Sequence, residues 1–212
     1  MTWPSFSTTA LTLCFALTGA AAIAVGADKE HPDWPCLQKK VENLAVSQVW
    51  DGPSIDGIKG WQDDDSISAL VKLLASRKNT LDQATAAVKS FAEGQPEADR
   101  DKRLTTVFAA LFETLTTERR TIMTGIEKYN RSQRKRAADI EEKGKALADL
   151  EAKAGSDDKA ADELAKAQED YEWQTRIFKE RGDNLPIACE LPVLIDQRLF
   201  NLAKVIRGLM KS

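Results

Sequence analysis

Apolar residues first fall into step at Leu37, Val41, Leu44, Ala45 and Val49. Spacings of three and four predict a helix over 37–50. The breaker cluster Trp50-Asp51-Gly52-Pro53 stops it. A loop follows over 54–65, with Gly57, Gly60, Trp61 and the acidic run Asp63, Asp64 and Asp65. Ile67, Leu70, Val71 and Leu74 then share one face of a helix over 66–78, with Asp64 or Asp65 as its N-cap. Thr80-Leu81-Asp82-Gln83 has the form of a capping box for a third helix over 81–93, which Gly94-Gln95-Pro96 closes.

From Glu97 the helical signal runs unbroken to Ala154. Its apolar positions step by three and four through Leu104, Phe108, Leu111, Leu115, Ile122, Ile126, Tyr129, Ala137, Ile140 and Leu147. The first half has a broad apolar face suited to a globular core. The second half narrows to a strip of Ala, Ile and Leu among charges, as in a coiled coil. Gly155-Ser156-Asp157-Asp158 reads as a stop followed by a new start. A second narrow stripe follows at Ala161, Leu164, Gln168, Tyr171 and Phe178.

The simplest geometry is an antiparallel hairpin over about 126–184 with its tip near Gly155. Leu147 then lies near Leu164 and Ile140 near Tyr171. Asn184-Leu185-Pro186 breaks the pattern, and a last helix starts around Pro192, a residue suited to a first turn. It carries Leu194, Ile195, Leu199, Leu202, Ile206 and Leu209 on a broad face. No stretch alternates as a strand does. The expected fold is all-α: a bundle of 37–50, 66–78, 81–93, 97–125 and 190–211, with a projecting antiparallel coiled-coil hairpin. Residues 28–212 form one domain.

Residues 1–27 carry no charge and end Ala24-Val25-Gly26-Ala27 before Asp28-Lys29-Glu30. They read as a signal peptide cut after Ala27. The absence of Lys and Arg ahead of the apolar run leaves a retained anchor as the alternative, at the lower length limit for spanning a bilayer. Cys14 invites a lipoprotein reading, but Leu13 before it is too large. The protein is expected to be periplasmic or secreted. Cys36 and Cys189 remain, and in an oxidising compartment they are read as a disulfide. It closes a loop spanning most of the chain, worth about 4–5 kcal/mol in the chain-entropy limit. Two buried thiols or a redox pair are the alternatives, although redox pairs usually sit in Cys-x-x-Cys.

Composition narrows the chemistry. The 212 residues hold 30 Lys plus Arg, 33 Asp plus Glu and one His, for a net charge of −3. That balance gives no general attraction to nucleic acid or anionic lipid. One His and three Cys leave little for a metal-dense site. His31 stands alone in a turn-prone stretch. Asp63, Asp64 and Asp65 lack the spacing of a calcium loop and read as capping residues. No nucleophile elbow, phosphate loop, dinucleotide fingerprint or zinc-protease motif occurs. No catalytic residue, metal or cofactor is therefore assigned.

Two clusters are candidate partner surfaces. Arg131, Arg134, Lys135 and Arg136, with Arg119, Arg120 and Lys128 upstream, form a basic segment. Its ordinary reading is a solvated face pairing with Glu169, Asp170 and Glu172 across the hairpin. Its functional reading is docking. Trp34, Trp50 and Trp61 fall close together around breakers. Tryptophans so placed either close the open end of a helical core or form an interface hot spot.

Leu70-Val71-x-Leu73-x-x-x-Arg77, followed by Val88-Lys89, loosely resembles the first-helix pattern of secreted all-α chorismate mutases. The resemblance covers about twenty residues. It implies a site of Arg, Lys and Glu or Gln clamping a dicarboxylate, here Arg77, Lys89 and Arg103. The chain departs from the pattern at Asp101-Lys102-Arg103-Leu104, where the family has an Arg-Glu pair. The first expectation is instead a non-catalytic exported adaptor or assembly factor. Its partner is an envelope protein or, through the hairpin, a second copy, and a chaperone-like coiled-coil clamp is a variant. Nucleic acid is not expected, and membrane contact only through an uncleaved N-terminus.

Overall fold

The computed structural model describes residues 30–153 and 158–211. The proposed signal peptide, Cys14 and the hairpin tip near Gly155 lie outside the described residues. The chain is all-α: helices α1 (Asp65–Ala75), α2 (Leu81–Glu93), α3 (Glu97–Lys153), α4 (Asp158–Asp183) and α5 (Leu185–Gly208), with short 3-10 turns at Val46–Gln48 and Trp61–Asp63. No strand occurs among the described residues.

Local chemistry explains most boundaries. The Asp64 carboxylate accepts from the Ile67 amide and caps α1. It also takes the Ser66 hydroxyl and pairs with Arg103 at 2.9 Å. Those three donors hold the Asp64 carboxyl well below its ordinary value, the Ser66 hydroxyl first. Thr80 and Gln83 form the expected capping box, and α2 spans the expected residues. α1 ends at Ala75 rather than Lys78 because its last carbonyls are claimed from outside. Asn79 donates to the Leu73 carbonyl, and Arg198 of α5 to those of Leu74 and Asn79. A helix needs partners for these end groups, and here side chains supply them.

One core joins α1, α2, the first half of α3 and α5. Leu74, Val88, Leu104, Phe108, Leu111, Leu199, Leu202 and Ile206 are fully buried in it. Trp50 stacks on Phe108 with ring centroids 3.9 Å apart and planes 8° from parallel. Gly52 must be glycine, because a Cβ there would lie 2.3 Å from the Trp50 ring.

Two expectations are corrected. Residues 37–50 form no α-helix; only Val46–Gln48 turn, as a 3-10 segment. The carbonyls a helix would use internally go elsewhere: Gln38 to the Trp34 indole and Val41 to the Arg119 guanidinium. The apolar spacing also misleads, since Leu37 is 84% exposed. The last helix starts at Leu185, with Pro186 in its first turn and Pro192 inside it. Asn184 alone separates α4 from α5 and is itself in the right-handed helical region. Pro192 leaves one carbonyl of the preceding turn without its usual amide partner, and the ring is buried instead.

Beyond the core, α4 runs back antiparallel along the second half of α3. The Tyr129 hydroxyl donates to the Arg181 carbonyl at 2.6 Å and Gln133 to the Phe178 carbonyl at 3.2 Å. Further out Lys143 pairs with Asp170, and the Tyr171 ring lies against Gly144. At 1.5 Å per residue the 57 residues of α3 extend about 85 Å, so this two-helix arm reaches well past the core.

Candidate partner surfaces

The root of the arm is held by a second, smaller cluster. Cys36 and Cys189 are disulfide-bonded with their Cα atoms 5.6 Å apart, tying the N-terminal segment to the start of α5. Trp34, Met123, Ile126 and Cys189 are buried together beside it. The Trp34 indole donates to the Gln38 carbonyl, and the Gln38 side chain donates to the Cys189 carbonyl. Arg119 of α3, only 6% exposed, pairs with Asp196 of α5 at 2.9 Å and donates to the Val41 carbonyl at 2.6 Å. Burial raises the Asp196 carboxyl above its ordinary value despite the opposing pull of Arg119.

This junction absorbs half of the basic segment. Arg131 donates to Asp33 at 2.9 Å, Arg134 pairs with the same carboxylate, and Asn130 holds the Asp33 carbonyl at 2.9 Å. The Arg131 hydrogen bond, helped by the Arg134 charge, lowers the Asp33 carboxyl. The expected pairing of 131–136 with Glu169, Asp170 and Glu172 is therefore corrected. The antiparallel register places 129–133 against 178–181, so the three acids lie farther along the arm, where Asp170 takes Lys143. Lys135 and Arg136 are exposed and have no ion pair among the described residues.

The three tryptophans separate. Trp34 and Trp50 are buried with satisfied indole N–H groups, Trp50 donating to the Pro53 carbonyl at 2.8 Å. Both rings belong to buried clusters, as in the reading in which tryptophans close the open end of a helical core. Trp61 is half-buried at the core edge and donates to Glu113 at 2.8 Å. Among the described residues, the tryptophan that does face solvent is Trp173 of α4, 56% exposed. The sequence held a signal for it: Trp173 lies off the stripe of Leu164, Tyr171 and Phe178, where a large apolar side chain has no seam to enter.

Two open grooves follow. On the arm, Ile140, Trp173, Ile177 and Phe178 line one of about 400 Å³, flanked by Arg136 and Arg181. The Arg176 guanidinium lies 5.9 Å from the Trp173 ring centroid, in cation–π range. At the root, Pro35, Leu37, Leu185, Pro186 and Leu194 surround the disulfide in a groove of about 590 Å³. Leu37 and Ile187 stand largely exposed at this end, the latter at 62%.

The residues implied by the chorismate mutase resemblance are separately engaged. Arg77 pairs with Glu118, Arg103 with Asp64 and the Ser66 hydroxyl, and Lys89 is exposed on α2. No hydrogen bond or ion pair links the three among the described residues. His31 lies 3.9 Å from Glu42. Among the described residues no three His, Cys, Asp or Glu side chains converge as a metal set, and no helix is long and apolar enough to cross a membrane. Comparison of the chain with protein-family models, with curated proteins and with solved structures returned no match.

Proposed function

We propose that this is an exported, non-catalytic protein of the periplasm or extracellular space whose arm is an interaction element, docking on an envelope protein or on a second copy, as an adaptor or assembly factor. The observation that carries the reading is the arm. Beyond Gln133 its described side chains are all exposed or half-buried, yet Trp173 stands there among Arg136, Arg176 and Arg181. A large exposed aromatic flanked by guanidinium groups is the usual make-up of an interface hot spot. The disulfide supports an oxidising compartment, and the uncharged residues 1–27 support export. The coiled-coil character of the hairpin belongs to the same proposal, since narrow apolar seams with charged flanks select partners.

Capture from an envelope extract tests this, with the oxidised protein as bait and Trp173→Ala with Arg136→Ala as the control. Circular dichroism is to establish first that both baits are equally helical. A protein held by the first bait and lost from the second supports docking through the arm. Equal capture by both, or none by either, removes docking on a different envelope protein.

The apolar groove at the root favours the chaperone-like variant, because extended apolar segments suit such a surface. Protection of a reduced, aggregating client by the parent protein, and its loss in Leu37→Asp, would support it. Protection unchanged by Leu37→Asp would remove it.

A further inference from the structure

We infer that the docking partner of the arm is a second copy of the same chain, laid antiparallel so that two arms form one four-helix bundle around the Trp173 grooves. The inference rests on the reading that the arm is an interaction element and names its partner.

The first observation is the incomplete seam. Ile140, Leu147, Leu150, Leu164, Tyr171 and Ile177 are large apolar positions of the arm, and all are only half-buried. Two helices cover one side of such a stripe. Two more, packed against it, complete the burial, as in antiparallel four-helix bundles.

The second observation is the distribution of charge along the arm. Its root, residues 131–139 and 173–183, carries Arg131, Arg134, Lys135, Arg136, Arg176, Lys179 and Arg181 against Asp139, Glu180, Asp183 and the Asp33 that Arg131 and Arg134 share, which still leaves it basic. Its outer part, residues 140–153 and 159–172, reverses the balance. There Lys143, Lys145, Lys153, Lys159 and Lys166 meet nine acids, among them Glu142, Asp149, Glu163 and Glu169. Parallel arms would set like charge on like. Antiparallel arms bring each basic root to an acidic outer part, twice, as an isologous two-fold contact requires.

The third observation is where the axis falls. The charge turns from basic to acidic between Arg136 and Asp139 on α3 and between Arg176 and Glu172 on α4. A two-fold axis there sets the exposed Trp173 ring and its groove against the same groove of the second copy.

A charge-swap experiment tests this on the oxidised full-length protein, by sedimentation velocity at low and high salt. The parent protein is expected at twice the monomer mass at low salt, shifting toward monomer at about 1 M salt, where the screening length falls to about 3 Å. Arg136→Glu with Arg176→Glu removes the basic excess of the root, and Glu142→Lys with Glu169→Lys removes the acidic excess of the outer part, so each homodimer loses its attraction at both ends while a mixed pair keeps it at one. Each is expected as a monomer alone, and the two together as a heterodimer. Trp173→Cys is expected to cross-link to itself on oxidation. A parent protein that stays monomeric at every concentration overturns the inference. So does a dimer indifferent to both charge changes. Because capture from envelope extract is read separately, a monomer that still captures a partner through Trp173 overturns this inference and leaves arm docking standing.

Discussion

The two halves of α3 share one unbroken helix and live in different physical regimes. From Leu104 to Leu115 the helix buries six apolar side chains to essentially zero exposure. Beyond Gln133 none of its described side chains is buried. The core half is held by tertiary packing, where losing atoms leaves a cavity. The arm half is held by helix propensity, by continuity with the core and by one shallow contact with α4. A helical signal in sequence therefore fixes local geometry but not what the helix is for. The width of the apolar stripe separates the two roles.

The comparison can be broken most sharply in the core. Phe108→Ala is expected to cost about 3–5 kcal/mol, measured by urea unfolding, because it removes a fully buried ring and the platform for Trp50. Ile140→Ala on the arm is expected to cost about 1 kcal/mol or less. Equal costs would mean that the arm is as tightly packed as the core.

Replacing Cys36 and Cys189 by Ala comes next, at about 2–5 kcal/mol, since the bond closes a separation of 153 residues in the unfolded chain. The loss should appear as a lower thermal midpoint with helicity retained at room temperature. An unchanged midpoint would remove the staple from any account of how the arm is held.

Smaller is Asp64→Ala, about 1–2 kcal/mol by chemical unfolding, for the lost cap of α1. Its pH dependence has a definite sign. The folded-state carboxyl titrates below its unfolded value of 3.8, so its contribution is complete above about pH 5 and is lost as pH falls through that value and below. Stability of the parent protein should fall more steeply below pH 4 than that of Asp64→Asn. Parallel slopes would place the acid sensitivity elsewhere.

Smallest is Lys143→Ala, which removes a solvent-accessible pair with Asp170 and should leave the thermal midpoint unchanged. Hydrogen exchange then sharpens the contrast: amides from Arg134 outward should exchange faster than those from Leu104 to Leu115. Uniform protection along α3 would dissolve the distinction.

What sequence made legible follows the same division. The Thr80–Gln83 capping box, the Asp64 cap, the reach of α3 and the disulfide were all readable, because each depends on residues close in sequence or on a lone cysteine pair. Residues 37–50 were not. Their spacing is helical, but Arg119, far along the chain, claims a carbonyl that a helix would use. The start of α5 was misplaced because Pro192 normally opens a helix, whereas Pro186 already fills that role. At the candidate surfaces the sequence clusters Trp34, Trp50 and Trp61, two of which are core residues, whereas the exposed Trp173 stands alone in sequence. The basic segment was visible, but Asp33 as its partner depends on how the N-terminal stretch folds back.

The passage from α4 to α5 through the single residue Asn184, beside an uninterrupted α3, makes the arm a cantilever with both spars clamped at one end. In any cantilever the bending moment grows toward the root. Here the root is where the covalent bond, the Arg131–Asp33 contact and the Tyr129–Arg181 hydrogen bond are gathered. A sideways load on the arm is thus carried to the part of it that has the most cross-links.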